Sequence, residues 1–113
     1  MHELPMVMEL LNIAEKTAKR EQLSRVTSVT VRIGELSDLA DECMQLYWET
    51  AAEHTLCEGS VLTIRRNPAR LRCRLCGYEF RHLHDFTCPR CGGPADLIRG
   101  TGSGCVMESL EGE

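Results

Sequence analysis

Near the start of the chain, Leu4, Val7, Met8, Leu11, Ala14 and Ala18 recur at helical spacing, with Glu9, Glu15, Lys16 and Lys19 off that stripe. The pattern predicts an amphipathic helix over roughly residues 5–20, with Pro5 suited to its first turn. Val29, Val31 and Ile33 then alternate with Thr30 and Arg32, which predicts a half-buried strand stopped by Gly34. Ser37 or Asp38 is placed to cap a second helix over roughly residues 39–54, with Leu39, Cys43, Leu46, Tyr47 and Ala51 as its apolar stripe. Gly59 turns the chain into a strand, Val61-Leu62-Thr63-Ile64, which Asn67-Pro68 ends.

The pattern then changes. From about Ala69 to Arg99 the sequence is short-stranded and arginine-rich, and Tyr78 and Phe80 alternate with Glu79 and Arg81 as in a hairpin strand. Gly100-Thr101-Gly102-Ser103-Gly104 reads as a flexible link, and Cys105-Val106-Met107-Glu108-Ser109-Leu110 as a last strand. That strand is expected back on the first lobe, beside the strand at 61–65. The predicted fold is α+β: a small lobe of two helices and a three-stranded sheet, residues 1–66 with 103–113, carrying an inserted lobe at 67–102.

Composition narrows this picture. The 113 residues suffice for one small domain or two lobes, one of them stapled. Hydrophobic content is 42% but aromatic content only 4%, so the core must be mainly aliphatic. Seven cysteines, an odd number, without a signal peptide or an apolar run long enough to span a membrane, point to thiols and metal ligation in a reducing cytoplasm. Net charge is −4 and uneven: residues 65–99 hold eight arginines against Glu79, Asp85 and Asp96, while the segment before them is acidic.

Four cysteines form two C-x2-C pairs, Cys73-Arg-Leu-Cys76 and Cys88-Pro-Arg-Cys91, each followed by glycine, Gly77 and Gly92. Two such knuckles bring four thiolates onto one tetrahedral ion, and the glycines allow the tight turns that aim backbone N–H groups at sulfur. Four thiolates leave no open position, so the predicted centre, Cys73, Cys76, Cys88 and Cys91 on Zn(II), is structural. The other end offers different donors. His2 beside a free α-amine places that amine, two backbone nitrogens and an imidazole within reach of one ion. Four nitrogens in a plane suit Ni(II) or Cu(II) better than Zn(II). The chelate requires residue 1 to be the terminus, and the bulk of His2 predicts that Met1 is retained. The Glu3 carboxylate is expected to accept a hydrogen bond from the imidazole.

Met1-His2-Glu3-Leu4, Ile33-Gly34-Glu35-Leu36-Ser37, the two knuckles and Ser109-Leu110-Glu111, in this order and spacing, resemble the hydrogenase nickel-incorporation family HypA/HybF. The resemblance covers essentially the whole chain. It implies a nickel metallochaperone that binds Ni(II) at Met1, His2 and Glu3 as cargo, keeps zinc in the ribbon, and works with a HypB-type GTPase on the [NiFe]-hydrogenase large-subunit precursor. Some family members also serve urease maturation. The family often carries an acidic residue just after the first strand, for which Asp38 and Asp41 both stand nearby.

No phosphate loop, H-E-x-x-H or nucleophile elbow is visible, so a non-enzymatic role is expected. The alternative is a zinc-ribbon nucleic-acid-binding protein, resting on the local basic charge and on Tyr78 and Phe80 as stacking groups. The acidic total speaks against it. An Fe(Cys)4 electron carrier is a second rival, although the spacer between the knuckles is short for one. His82 and His84 lie between the knuckles, where histidines can modulate a metal site but are more often exposed loop residues. Cys43 reads as core, Cys57 as a partly exposed thiol, and His54 as a surface or capping residue.

Overall fold

The computed structural model describes residues 3–113. The elements are α1 (Glu3–Arg20), β1 (Val26–Gly34), α2 (Asp41–Ala51), β2 (Val61–Asn67), β3 (Arg70–Cys73), β4 (Glu79–Arg81), β5 (Ala95–Leu97) and β6 (Cys105–Gly112). They form two compact units. The first comprises the chain up to Arg32 with Asp38–Arg65 and Cys105–Glu113, and the second Ile33–Ser37 with Arg66–Gly104.

In the first unit, α1 buries Val7, Leu10, Leu11, Ala14 and Ala18, and also Glu3. At about 100° per residue these positions fall on one arc centred near Val7 and Ala18. Leu4 and Met8 sit at its margin and are about half exposed, so the predicted stripe was rotated from the observed one. The same phase carries Glu3 into the buried arc.

The first sheet has the order β2-β1-β6. β1 is its centre, with Val26, Val29, Val31 and Ile33 fully buried. Val26 N–H donates to Leu56 O at one end and Glu35 N–H to Asn67 O at the other, so β2 runs alongside β1 in the same direction and α2 lies in the crossover. β6 runs antiparallel: Glu113 N–H donates to Arg25 O, and Gly34 N–H to Gly104 O. The last strand therefore pairs with β1 and not, as expected, with β2. The reason is in the side chains. β1 is apolar enough to need cover on both edges, whereas β2 leaves Val61, Thr63, Arg65 and Arg66 exposed and suits an edge.

α2 differs from expectation in length, cap and phase. Its N-cap is Ala40, two or three residues beyond the Ser37 or Asp38 expected there, and the Ala40 side chain makes no cap hydrogen bond. Met44 and Trp48, with Ala52 just beyond, are its buried residues, while Leu46 and Tyr47 face outward and Cys43 is half-buried. Trp48, the largest side chain of α2, lies in the core and is held there by its Nε1–H donating to Ser60 Oγ at 3.0 Å.

The second unit is built on a sheet of order β4-β3-β5, with both neighbours antiparallel to β3. Leu71 pairs with Phe80 on one side and Leu97 on the other. Its core is small: Leu71, Cys73, Phe80, Cys88 and Ala95, with Tyr78 and Leu97 packed against them. The glycine-rich stretch is not a loose link. Leu36 N–H donates to Gly102 O at 2.9 Å, and Gly102, at φ 70°, lies against Ala69. Glu35 ties the same segment down, its Oε1 accepting Ala69 N–H at 2.8 Å and its Oε2 facing Arg81 at 3.5 Å. These partners, the Ala69 N–H foremost, lower the Glu35 pKa from its ordinary value.

Candidate metal centres

The two knuckles repeat one backbone figure. Cys73 N–H donates to Tyr78 O and Gly77 N–H to Cys73 O; fifteen residues on, Cys88 N–H donates to Gly93 O and Gly92 N–H to Cys88 O. Gly77 and Gly92 take φ values of 76° and 74°, the left-handed conformation that the sequence assigned to them. β3 delivers the first knuckle and the turn before β5 the second, so the sheet register sets their separation.

The result is a cluster of four sulfurs, Cys73, Cys76, Cys88 and Cys91, all within 4.8 Å of one another. Cys73 and Cys91 Sγ are 3.4 Å apart and Cys76 and Cys88 Sγ 3.6 Å. A tetrahedral ion with bonds of about 2.3 Å requires sulfurs about 3.8 Å apart, so the set needs only small adjustment to take one. Backbone donors face the sulfurs: Leu75 and Cys76 N–H reach Cys73 Sγ at 3.3 and 3.4 Å, and Arg90 N–H reaches Cys88 Sγ at 3.4 Å. Cys73 and Cys88 are buried, Cys76 and Cys91 exposed.

The electrostatics call for a cation. The N–H of Cys76, aided by that of Leu75 against the opposing effect of burial, lowers the Cys73 thiol to about 6. Cys88 is lowered as well, the Cys91 and Arg90 N–H groups outweighing burial. Cys91 has a lowering N–H from Gly93, but the neighbouring sulfurs, Cys73 first, and burial push it up to about 12. Thiolates this close cannot all ionise on their own, and a dication removes that conflict.

Arginines brace the sheet around the cluster. Arg74 makes a bidentate pair with Asp96 at 2.7–2.9 Å, and Arg72 pairs with Glu79 at 2.9 Å. Arg90 lies over the Tyr78 ring at 4.4 Å, and Tyr78 stacks on Phe80. Much of the basic charge is thus spent within the unit. Phe80 is 8% exposed, a core residue and no stacking platform. His82 is half-buried, with its ring edge-on to Phe86 at 5.4 Å, while His84 is exposed.

At the other end, Met1 and His2 lie outside the described residues, so the predicted nickel ligands are represented by Glu3 alone. Glu3 is 3% exposed, and its Oε2 accepts the Ala40 N–H at 2.9 Å. Ala40 is the N-cap of α2, whose early N–H groups have no helical acceptor. One N–H at the start of α2 is thus satisfied from another helix. The bond also brings the first turn of α1 to the Asp38–Asp41 segment, where the acidic residue near nickel was expected. No spacing rule pointed to the Glu3–Ala40 bond; the helical phase of Glu3 was its one signal.

The remaining cysteines differ from expectation in part. Cys57 is fully buried, not partly exposed, and burial raises its thiol to about 11. Cys43 and Cys105 are half-buried. His54 is exposed, at φ 64° after α2. No helix is long and apolar enough to cross a membrane among the described residues.

Comparison with known proteins gives one consistent result. Residues 1–112 match the family model described as "Hydrogenase/urease nickel incorporation, metallochaperone, hypA". The hydrogenase maturation factor HypA of Caldanaerobacter subterraneus is 36% identical over 114 residues, with both chains fully covered. The HypA of Methanocella arvoryzae is 39% identical over 102 residues, covering 88% of this chain and 89% of its own. Among solved structures, the nickel metallochaperone HypA of Helicobacter pylori superposes with a TM-score of 0.69 at 28% identity, covering 99% of this chain and 97% of its own.

Proposed function

The chain belongs to the HypA family of hydrogenase and urease nickel-incorporation metallochaperones, and on that premise we propose a division of labour between its two ends. Met1, His2 and Glu3 hold Ni(II) as cargo for [NiFe]-hydrogenase maturation. Cys73, Cys76, Cys88 and Cys91 hold Zn(II) as a permanent structural ion. The match over residues 1–112, which includes the amino-terminal Met-His-Glu, carries this reading.

The chemistry of the donors sorts the two metals. A tetrahedral, all-sulfur set suits Zn(II), whereas the amine, amide and imidazole nitrogens of the first residues suit planar Ni(II). Glu3 contributes in two ways. Its backbone nitrogen belongs to the chelating segment. Its carboxylate, anchored on Ala40 N–H, fixes the start of α1. A planar chelate at a chain end is open to solvent and to an incoming acceptor, which suits a carrier that must release its ion. The closed thiolate set cannot exchange ligands as readily.

The protein carries cargo and performs no catalysis in this account; nucleotide hydrolysis, where the process needs it, comes from a HypB-type GTPase, and the receiver is the hydrogenase large-subunit precursor in the cytoplasm. Urease maturation proteins are further partners where the host has urease. The internal pairing of the ribbon arginines argues against the nucleic-acid alternative. The functional test is a host with a [NiFe]-hydrogenase carrying His2→Ala. The hydrogenase should be nickel-poor and partly restored by added nickel salt. Full nickel content without supplementation would refute the role of His2.

A further inference from the structure

We propose that the outer face of the β4-β3-β5 sheet is a docking surface for an acidic, extended segment of a partner protein, with a carboxylate seated between Arg70 and Arg81. The sheet turns Leu71, Phe80 and Leu97 toward the core of the unit. It leaves Arg70, Arg72, Glu79, Arg81 and Asp96 on the other side, all exposed. The zinc-binding and nickel-binding residues make no use of this face.

The strand register decides which of these charges are left over. Arg72 lies between Glu79 on β4 and Asp96 on β5. Glu79 is taken by Arg72 at 2.9 Å, and Asp96 by the bidentate Arg74 at 2.7–2.9 Å. That row of the sheet is neutralised from within. The next row is different. Arg70 stands directly opposite Arg81 on β4, and on the β5 side its carbonyl accepts the Ile98 N–H. Among the described residues Arg70 has no carboxylate within ion-pairing distance. Arg81 reaches Glu35 at 3.5 Å, too long for a good hydrogen bond, and Glu35 is engaged chiefly by the Ala69 N–H. Directly opposite side chains start from Cβ atoms about 5 Å apart, and like charges so placed weaken a sheet. An anion between the two guanidinium groups turns that repulsion into attraction.

The chemistry selects a carboxylate on an extended chain. Each guanidinium presents a planar fork that matches a carboxylate. The unspent charge is confined to one row, and the row beside it carries Glu79 and Asp96. A nucleic-acid backbone, with a phosphate at every step, would run onto those carboxylates. A peptide can place an acid at the first row and a neutral residue at the second. Bases would also lack a platform here, because Tyr78 and Phe80 pack on the core side of the sheet. The chain as a whole carries a net charge of −4, so it repels a broad acidic surface but admits a short acidic segment at its arginine-rich face.

The test uses the full-length, zinc-loaded protein, titrated at low ionic strength with acetylated hexaglutamate amide and followed by the arginine Nε–H resonances. The peptide should shift the Arg70 and Arg81 signals. Arg70→Gln/Arg81→Gln should weaken binding by on the order of tenfold while leaving zinc content and the ribbon amide spectrum unchanged. Arg70→Lys, which keeps the charge and loses the fork, should weaken it less than the double variant but measurably. Arg90→Gln, which removes one charge elsewhere in the same unit, should leave the affinity near that of the native chain. Unmoved Arg70 and Arg81 signals, an equal loss in Arg90→Gln, or tighter binding of hexathymidylate than of hexaglutamate would each overturn the proposal.

Discussion

Replacing Cys88 with serine should unfold the metal-bearing unit while leaving the first unit intact. Cys88 is 2% exposed, belongs to the small core of that unit, and lies 3.6 Å from Cys76 across the cluster. The size of the effect follows from what holds the unit together. Its fully apolar core side chains are Leu71, Phe80 and Ala95, whose burial supplies roughly 6 kcal/mol at most. A structural zinc supplies an apparent 10–16 kcal/mol at neutral pH, about twice as much. Surface pairs such as Arg72–Glu79 add on the order of 0.5 kcal/mol each. The unit therefore cannot survive loss of the ion, and the serine hydroxyl adds a buried polar group in place of a ligand. The first unit carries its own reporter, because Trp48 is the sole tryptophan and is 2% exposed there. Lengthening its internal connection by unfolding the inserted residues costs little, since closure entropy grows only with the logarithm of loop length. In Cys88→Ser, metal analysis should give well under one zinc per chain. Amide resonances of Arg70–Leu97 should collapse toward random-coil positions, while Trp48 emission stays blue-shifted. Full zinc content in the variant, or a red-shifted Trp48, would refute the reasoning.

Other expectations are independent of that one. In native, zinc-loaded protein at neutral pH, alkylation should modify Cys43 and Cys105 but spare Cys57, which is buried and raised to about 11; denaturation with a chelator should bring the count to all seven cysteines. Rapid native labelling of Cys57, followed by mass spectrometry, would contradict its placement. Gly34→Ala should cost about 1–3 kcal/mol, read as a lowered Tm, because a Cβ there meets the Gly102 and Ser103 backbone, which cannot rotate away. A Tm unchanged by the substitution would show that the glycine-rich stretch is as loose as its sequence suggests.

How far the sequence could be read depended on where the deciding contacts lie. The knuckles were legible in full, since C-x2-C followed by glycine encodes both the sulfur donors and the turn that presents them, and Gly77 and Gly92 take the conformations this requires. The strands were legible from alternation, although β1 begins three residues before Val29, at Val26, which is buried out of phase with the 29–31–33 alternation. Helix phase was harder. Cys43, Leu46 and Tyr47 look as apolar as Met44 and Trp48, and tertiary packing decided for Met44 and Trp48. The strand order was not legible, because β6 could pair with either neighbour until the exposure of β2 marked it as an edge. The bond at the start of α2 was invisible for the same kind of reason. It is a contact between Glu3 and Ala40, far apart in sequence, and no local motif announces it.

The most direct test of the account compares nickel binding by the native chain with that of a chain extended by a few residues ahead of Met1, both zinc-loaded. The extension changes no side chain; it turns the α-amine into an amide and displaces the planar chelate. The native protein should bind one Ni(II) in a yellow, diamagnetic form, and the extended protein should lose that site while keeping its zinc and its Trp48 emission. Equal nickel affinity in the two proteins would contradict the assignment of the cargo site to Met1, His2 and Glu3.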